Sequence, residues 1–292
     1  MKIGYWIFLG LTYLLAQMPR KVIYGISDFV YLIIYYIIGY RKKVVRTNLA
    51  NAFPEKSEQQ RSVIEKKFYH HLCDLAFETA ILRHISEKRM TKMVTFTNPV
   101  IRDEYREKNQ SVICVAGHYN NWEVLSIYQK NAGYQILGVY KPLTNKYFDY
   151  YFIKTRERFG VKAVSMDNIA RTLIRFNNKK ERTLSFFVAD QSPTESQIHY
   201  WTTFLNQDTG VFTGVERIAI KMGYPVVFLN IQKTKRGHYN VEAIPLVDNP
   251  KDTKPFEITE LHVRTLEKII IKQPEYWLWS HRRWKHSRPI GV

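Results

Sequence analysis

Two apolar runs open the chain. Ile3 to Ala16 carries no charge, and Val22 to Tyr40 carries a single acid, Asp28, between the basic clusters Arg20-Lys21 and Arg41-Lys42-Lys43 with Arg46. The first run is short for a bilayer span and the second is marginal. No small-residue cleavage site follows the first run, so a secretory signal fits poorly. Scattered Tyr and Trp suit the membrane interface, and the basic flanks suit anionic head groups. Residues 1–43 therefore read as a membrane anchor that spans once or lies as a hairpin, with its cationic flank placing the rest on the cytoplasmic side. A pair of apolar helices inside a soluble core is the alternative. Beyond this block the chain is too polar for further spans, which excludes a transporter.

From residue 44 to 292 the pattern alternates. Residues 44–53 end at the helix stop Phe53-Pro54-Glu55, and 57–85 show helical periodicity, with Ser57 and Gln60 resembling a capping box. Strand patterns fall at 93–97, 111–116, 135–140, 161–165, 183–189, 225–231 and 239–244. Helical ones fall at 121–131, 145–158, 167–178, 212–222 and 257–272. Strands alternating with helices at this spacing predict one α/β catalytic domain, a mixed, largely parallel sheet flanked by helices.

Composition narrows the chemistry. The 44 Lys+Arg against 26 Asp+Glu leave a formal charge of +18, a surface that attracts polyanions. No nucleic-acid-binding signature accompanies the charge, so nucleic acid is not an expected partner. The apolar N-terminus favours a membrane surface and anionic lipid instead. Cys73 and Cys114 are the two cysteines, as in a reducing compartment. His70, His71, Cys73 and Asp74 look metal-like but fall in an ordinary amphipathic helix, and no metal site is expected.

The sharpest local feature is Ser111-Val112-Ile113-Cys114-Val115-Ala116-Gly117-His118-Tyr119-Asn120-Asn121-Trp122-Glu123. A buried strand ends in glycine and delivers a histidine, and Asn-Asn-Trp-Glu resembles a capped first helical turn. An imidazole held there, with a carboxylate to fix its tautomer, takes a proton from a hydroxyl near neutral pH. A strand-to-helix turn whose histidine only caps backbone groups has the same spacing.

HxxxxE after a hydrophobic strand resembles the motif of the glycerolipid acyltransferase superfamily, and more narrowly the lipid A late acyltransferases (lauroyl/myristoyl transferases). Asn48-Leu49-Ala50-Asn51-Ala52-Phe53-Pro54-Glu55 is similar to that family's "RNL..cFPE", with Thr47 before the asparagine. Gly138-Val139-Tyr140-Lys141-Pro142 resembles "GVYRP", Thr155 to Gly160 the arginine-bearing helix, and Val188-Ala189-Asp190-Gln191 the "D(Q/H)" strand end. Pro274 to Lys285 is close to "PE.Y.W.HRR.K". The likeness covers essentially the whole chain and loosens from Ser192 to Gly210.

The resemblance implies a glycerolipid-acyltransferase-like fold and acyl transfer from acyl carrier protein to a hydroxyl of a lipid A precursor at the inner membrane. Nothing in such a reaction needs an enzyme-bound acyl group, which favours direct transfer in a ternary complex. No cofactor is expected; the carrier-protein thioester is a co-substrate. His118 would be the general base, Glu123 would orient it, and Arg156 would stabilise the oxyanion, with Arg158 as substitute. An arginine at a helix end also simply complements the dipole. Asp190, at a strand end, would orient an arginine or hold a sugar hydroxyl, or else cap a helix. Thr213 and Gly214 open a helix and offer N–H groups to a phosphate. Arg282 and Arg283, among tryptophans, suit head-group contacts or stacking on the domain itself. Other lipid acceptors, or a non-enzymatic basic membrane-anchored protein, are the rival functions. No GxSxG elbow is present, against a serine hydrolase.

Overall fold

The computed structural model describes residues 2–97, 104–128 and 133–289. Helices α1 (Lys2–Gln17) and α2 (Arg20–Leu32) form a hairpin broken at Pro19, and α2 runs on as a π-helical turn, Ile33–Ile38. Gly39, at φ 65°, ends it as a left-handed cap. Helices α3 (Lys42–Ala52) and α4 (Glu58–Leu82) follow. The Ser57–Gln60 capping box starts α4 as its sequence predicts.

Pairs along α2 and its extension step down α4: Tyr24 to Glu78 at 2.9 Å, Ser27 to Asp74 at 2.9 Å, then ring contacts Tyr31–His70 and Tyr35–Tyr69. Ile23, Ser27 and Tyr35 are buried in this seam, while Trp6, Ile7, Phe29, Leu32 and Ile37 face outward. Arg20–Ile38 is, among the described residues, the one helical stretch long and apolar enough to cross a membrane by length and composition. Its inner side belongs to the domain.

The short helices α5 (Glu87–Thr91) and α6 (Glu104–Glu107) flank strand β1 (Val94–Phe96). Then come β2 (Val112–Ala116), a 3-10 helix (Trp122–Tyr128), β3 (Gln135–Tyr140), α7 (Lys146–Glu157), β4 (Lys162–Ser165), α8 (Ile169–Asn178) and β5 (Thr183–Val188). After β5 stand the hairpin β6 (Tyr200–Phe204) and β7 (Gln207–Val211), α9 (Gly214–Met222), β8 (Val226–Lys235), β9 (His238–Val247) and α10 (Glu257–Lys272). The seven-stranded sheet has the order β1-β9-β8-β2-β5-β3-β4. Strands β8, β2, β5, β3 and β4 run parallel, whereas β9 is antiparallel to β8 and parallel to β1.

All five residues of β2 are buried, as expected of a central strand covered on both faces. Ile113 and Val115 join the core under α8, α9 and α10; Val112, Cys114 and Ala116 join the opposite core under α4 and the hairpin. The mixed, largely parallel sheet expected from the sequence is thus present. Two local expectations are corrected. The stretch predicted as a helix over 121–131 is a 3-10 helix to Tyr128, and 129–131 lie outside the described residues. The β6–β7 hairpin falls between the strand pattern at 183–189 and the helical one at 212–222, where the sequence pattern predicts no element. Its turn, Leu205-Asn206, has φ values of 49° and 61°, the twist a two-residue hairpin needs, and burial of Leu205 in the core compensates for that conformation.

Candidate active site

The ends of β2 and β5 lie side by side, with the Ala189 N–H donating to the Ala116 carbonyl at 3.1 Å. Gly117 follows β2, and a Cβ there would lie 2.6 Å from the Leu266 side chain of α10, so a larger residue at this point requires that leucine to move. The next residues, His118 after β2 and Asp190 after β5, meet. His118 Nδ1 stands 2.5 Å from Asp190 Oδ1, and the His118 backbone N–H reaches both carboxylate oxygens at 3.0 and 2.9 Å. Trp277 Nε1 donates to Oδ2 at 2.8 Å. Burial works to raise the pKa of Asp190, but the charge of His118 and these donors outweigh it and lower the value to about 2. A fixed carboxylate at Nδ1 places the ring proton there and leaves Nε2 as the acceptor. The Gln191 amide donates to that Nε2 at 3.1 Å, and the Trp122 ring packs edge-on against the imidazole.

Glu123 takes a different partner from the one expected. It is the second residue of the 3-10 helix, and its carboxylate forms a two-point pair with Arg156 of α7, Nε–Oε2 at 2.9 Å and Nη2–Oε1 at 2.5 Å. Burial lowers the pKa of Arg156, but Glu123 more than offsets this, and the net shift is upward. Asp190, not Glu123, therefore orients His118, because Nδ1 is already engaged across the β2–β5 seam. The Arg156 guanidinium lies over the Tyr140 and Phe152 rings, and among the described residues Nη1 has no hydrogen-bond partner.

His118, Glu123 and Arg156 share one cavity of about 830 Å³. Its walls are mostly apolar: Leu72, Leu75 and Ala76 of α4, Gly138 to Tyr140 of β3, Phe148 and Phe152 of α7, Phe186 and Val188 of β5, and Phe8 of α1. The volume and lining are those of a site for an apolar ligand with a few fixed polar groups.

The remaining expected site residues fall elsewhere. Arg158 is exposed and donates to the Leu82 carbonyl at 3.0 Å, outside the cavity. With its guanidinium engaged there, it does not reach the cavity that holds Arg156. Thr213 and Gly214 are buried, and the Phe212 ring lies against Gly214, so the start of α9 is closed to a phosphate. Arg282 is exposed. Arg283 is buried and donates to Thr209 Oγ1 at 2.6 Å and the Gly210 carbonyl at 3.0 Å, so it braces β7 and does not face a head group. Burial lowers its pKa to about 10, with Asp190 opposing. Asp28, His70 and Asp74 do come together, but Arg236 donates to both carboxylates and fills the position of a cation.

Gln191 and Trp277 complete the site. Each lies inside a family-like motif, Val188 to Gln191 and Pro274 to Lys285, whose pattern does not by itself point to a contact with His118 or Asp190. The tail is pinned by backbone pairing of Tyr119 with Trp277 and by Asn48 Nδ2, which donates to the carbonyls of Trp279 and His281 at 2.8 and 3.0 Å. The His281 ring accepts from the Ser192 N–H at 3.1 Å, and burial lowers its pKa to about 4.

The family profile described as "Bacterial lipid A biosynthesis acyltransferase" matches residues 1–286. The lipid A biosynthesis lauroyltransferase of Escherichia coli (strain K12) is 25% identical over 98% of this chain and 92% of its own length. The lipid A biosynthesis palmitoleoyltransferase of the same organism is 21% identical over 98% and 92%. A solved structure, the 1-acyl-sn-glycerophosphate acyltransferase of Thermotoga maritima, is similar at 13% identity and a TM-score of 0.38, covering 91% of this chain and 98% of that one. The last likeness is too slight to carry an argument.

Proposed function

This chain belongs to the bacterial lipid A biosynthesis acyltransferase family and is an acyltransferase acting on lipid A; from that premise we propose how, and from what donor, it does so. The donor is the thioester of acyl carrier protein, the acceptor a hydroxyl of a lipid A precursor, and the place the cytoplasmic face of the inner membrane. An acidic carrier suits a chain of net charge +18. Outward apolar residues of the α1–α2 hairpin, flanked by Arg20-Lys21 and Arg41-Lys42-Lys43, suit a bilayer with anionic head groups.

The observation that carries the mechanism is an imidazole, tautomer fixed by Asp190 at 2.5 Å, at the edge of an apolar cavity that also holds Arg156. The acceptor hydroxyl takes the place of the Gln191 amide at His118 Nε2 and gives its proton to that nitrogen as its oxygen attacks the thioester carbonyl. The imidazolium that forms is stabilised by Asp190. Negative charge gathers on the former carbonyl oxygen, which Arg156 Nη1 accommodates while Glu123 holds the guanidinium. The C–S bond then breaks, and the leaving thiolate takes the proton back from His118. Every step is acyl transfer between two bound substrates, so no acyl-enzyme is required.

The test is mass spectrometry of transfer from labelled lauroyl-acyl-carrier protein to a tetra-acylated lipid A precursor, with lauroyl-coenzyme A as the competing donor and His118→Ala as control. Label on the precursor from the carrier protein, lost in the variant, is the expected result. Preference for coenzyme A would overturn the donor, and full activity of His118→Ala would overturn the base.

A further inference from the structure

Outside the cavity, a polar cluster is buried where α2, α4, β9 and the His118–Glu123 segment meet. At its centre is Glu78 of α4, 1% exposed. Three donors converge on it: Tyr24 of α2 on Oε1 at 2.9 Å, Asn121 Nδ2 on Oε2 at 2.9 Å, and Tyr239 of β9 on Oε2 at 2.6 Å. Burial raises the pKa of Glu78 against these three donors. The fold makes room for the arrangement. Gly237, in the β8–β9 turn at φ 72°, is so close to the Tyr24 hydroxyl that a Cβ would lie 1.9 Å from it.

A buried carboxylate costs free energy that an apolar side chain would not, so packing alone gives no reason for it here. Asn121 stands between His118 and Glu123, immediately before the 3-10 helix. Its neighbour Asn120 has a φ of 54° and is tied by Nδ2 to the Ile231 carbonyl at 2.7 Å. The two asparagines thus set the course of the chain between the base and the residue that holds Arg156.

We infer that Glu78 is a positioning residue: through Asn121 it fixes the segment that sets His118 against the Glu123–Arg156 pair, and through Tyr24 it ties that segment to the hairpin. The inference rests on the reading of His118 as the base. Reacting groups misplaced by an ångström cost rate far more than binding, so loss of the tie acts on kcat and spares KM.

The decisive variants move one methylene across the hydrogen bond. Glu78→Asp shortens the acceptor and Asn121→Gln lengthens the donor. In the full-length enzyme with lauroyl-acyl-carrier protein and a tetra-acylated lipid A precursor, Glu78→Asp lowers kcat about tenfold or more with KM within about twofold. Adding Asn121→Gln to that background recovers most of the loss. A kcat within about threefold of the parent, or no recovery in the double variant, overturns the inference. If thermal melting shows Glu78→Asp unfolded, Asn121→Ala carries the same expectation, because it leaves both tyrosines on Glu78; an unchanged kcat there overturns it equally. His118→Ala, run alongside, separates the two readings. Activity in that variant removes the base assignment, whereas a dead His118→Ala beside normal Glu78 variants removes only this inference.

Discussion

Asp190→Asn is the sharpest test of the site, because the structure fixes what the amide must do. The two carboxylate oxygens make four contacts to three N–H groups: Oδ1 with His118 Nδ1 and its backbone N–H, Oδ2 with the same backbone N–H and with Trp277 Nε1. An asparagine keeps one acceptor. If its oxygen serves Trp277, its NH2 faces Nδ1, the ring proton moves to Nε2, and the base is gone. If its oxygen serves Nδ1, its NH2 meets the indole N–H, donor against donor. Either way the stabilisation of the imidazolium is lost. For the analogous carboxylate of a serine-protease triad the cost is about 10⁴-fold in kcat, or roughly 5 kcal/mol, and we expect a fall of about 10³-fold or more here. Initial rates of transfer to the lipid A precursor, with melting temperature measured in parallel, supply the readout. A folded Asp190→Asn enzyme within about tenfold of the parent would refute the assignment.

The same carboxylate predicts an acid limb to stability. Its folded pKa of about 2 lies below the ordinary 3.8, so its contribution, roughly 2 kcal/mol, is present above pH ~4 and lost as pH falls toward ~2; the variant should lack this part of the acid-unfolding curve. Arg156→Ala should lower kcat more than it raises KM, and combined with Glu123→Ala its effect should be far from additive, with a coupling of about 2 kcal/mol in a double-mutant cycle. Additive losses would dissolve the pair. Gly138→Val fills the wall of the cavity, where a Cβ already comes within 3.2 Å of Val161, and should shift preference toward shorter acyl donors in a competition read by mass spectrometry. Replacing exposed Trp6 and Ile37 by Ser should weaken binding to anionic vesicles by about tenfold or more, given about 1.5–3 kcal/mol per buried apolar side chain, without lowering the melting temperature.

Much of the architecture is carried by local pattern. The strand and helix positions follow from apolar runs and their periods, and the Ser57–Gln60 cap from two side chains three residues apart. The site is legible only in part. His118 and Arg156 stand out because each sits in a short motif. The partner of His118 is 72 residues away and is brought near only because β5 inserts between β2 and β3 in the sheet, which no spacing records. The five-residue interval to Glu123 suggests a local partner, and the motif alone does not reveal that Nδ1 is already satisfied. Arg283 misleads for a related reason. An arginine among tryptophans has the same pattern whether it meets a head group or, as here, the inner edge of a hairpin.

Two charge pairs divide the proposed chemistry, and their placement explains why an apolar cavity tolerates them. At rest, Glu123 and Arg156 cancel on the cavity wall, and Asp190 is matched by four N–H contacts at the strand ends, so an acyl chain meets little uncompensated charge. During transfer, new charge appears in two places only. The imidazolium forms against Asp190, and the oxyanion forms where Arg156 Nη1 is unpartnered. Each new charge arises beside a fixed opposite one that needs no reorientation, within mostly apolar walls, where such interactions are stronger than in water. The interactions are therefore weaker in the ground state than in the transition state, which is the condition for accelerating the reaction and not merely tightening binding. A local His–Glu dyad would leave Arg156 without its holder and Asp190 without a task. The crossed pairing gives all four side chains one, and it accounts for a glutamate whose role is to hold an arginine five residues after the base it was expected to serve.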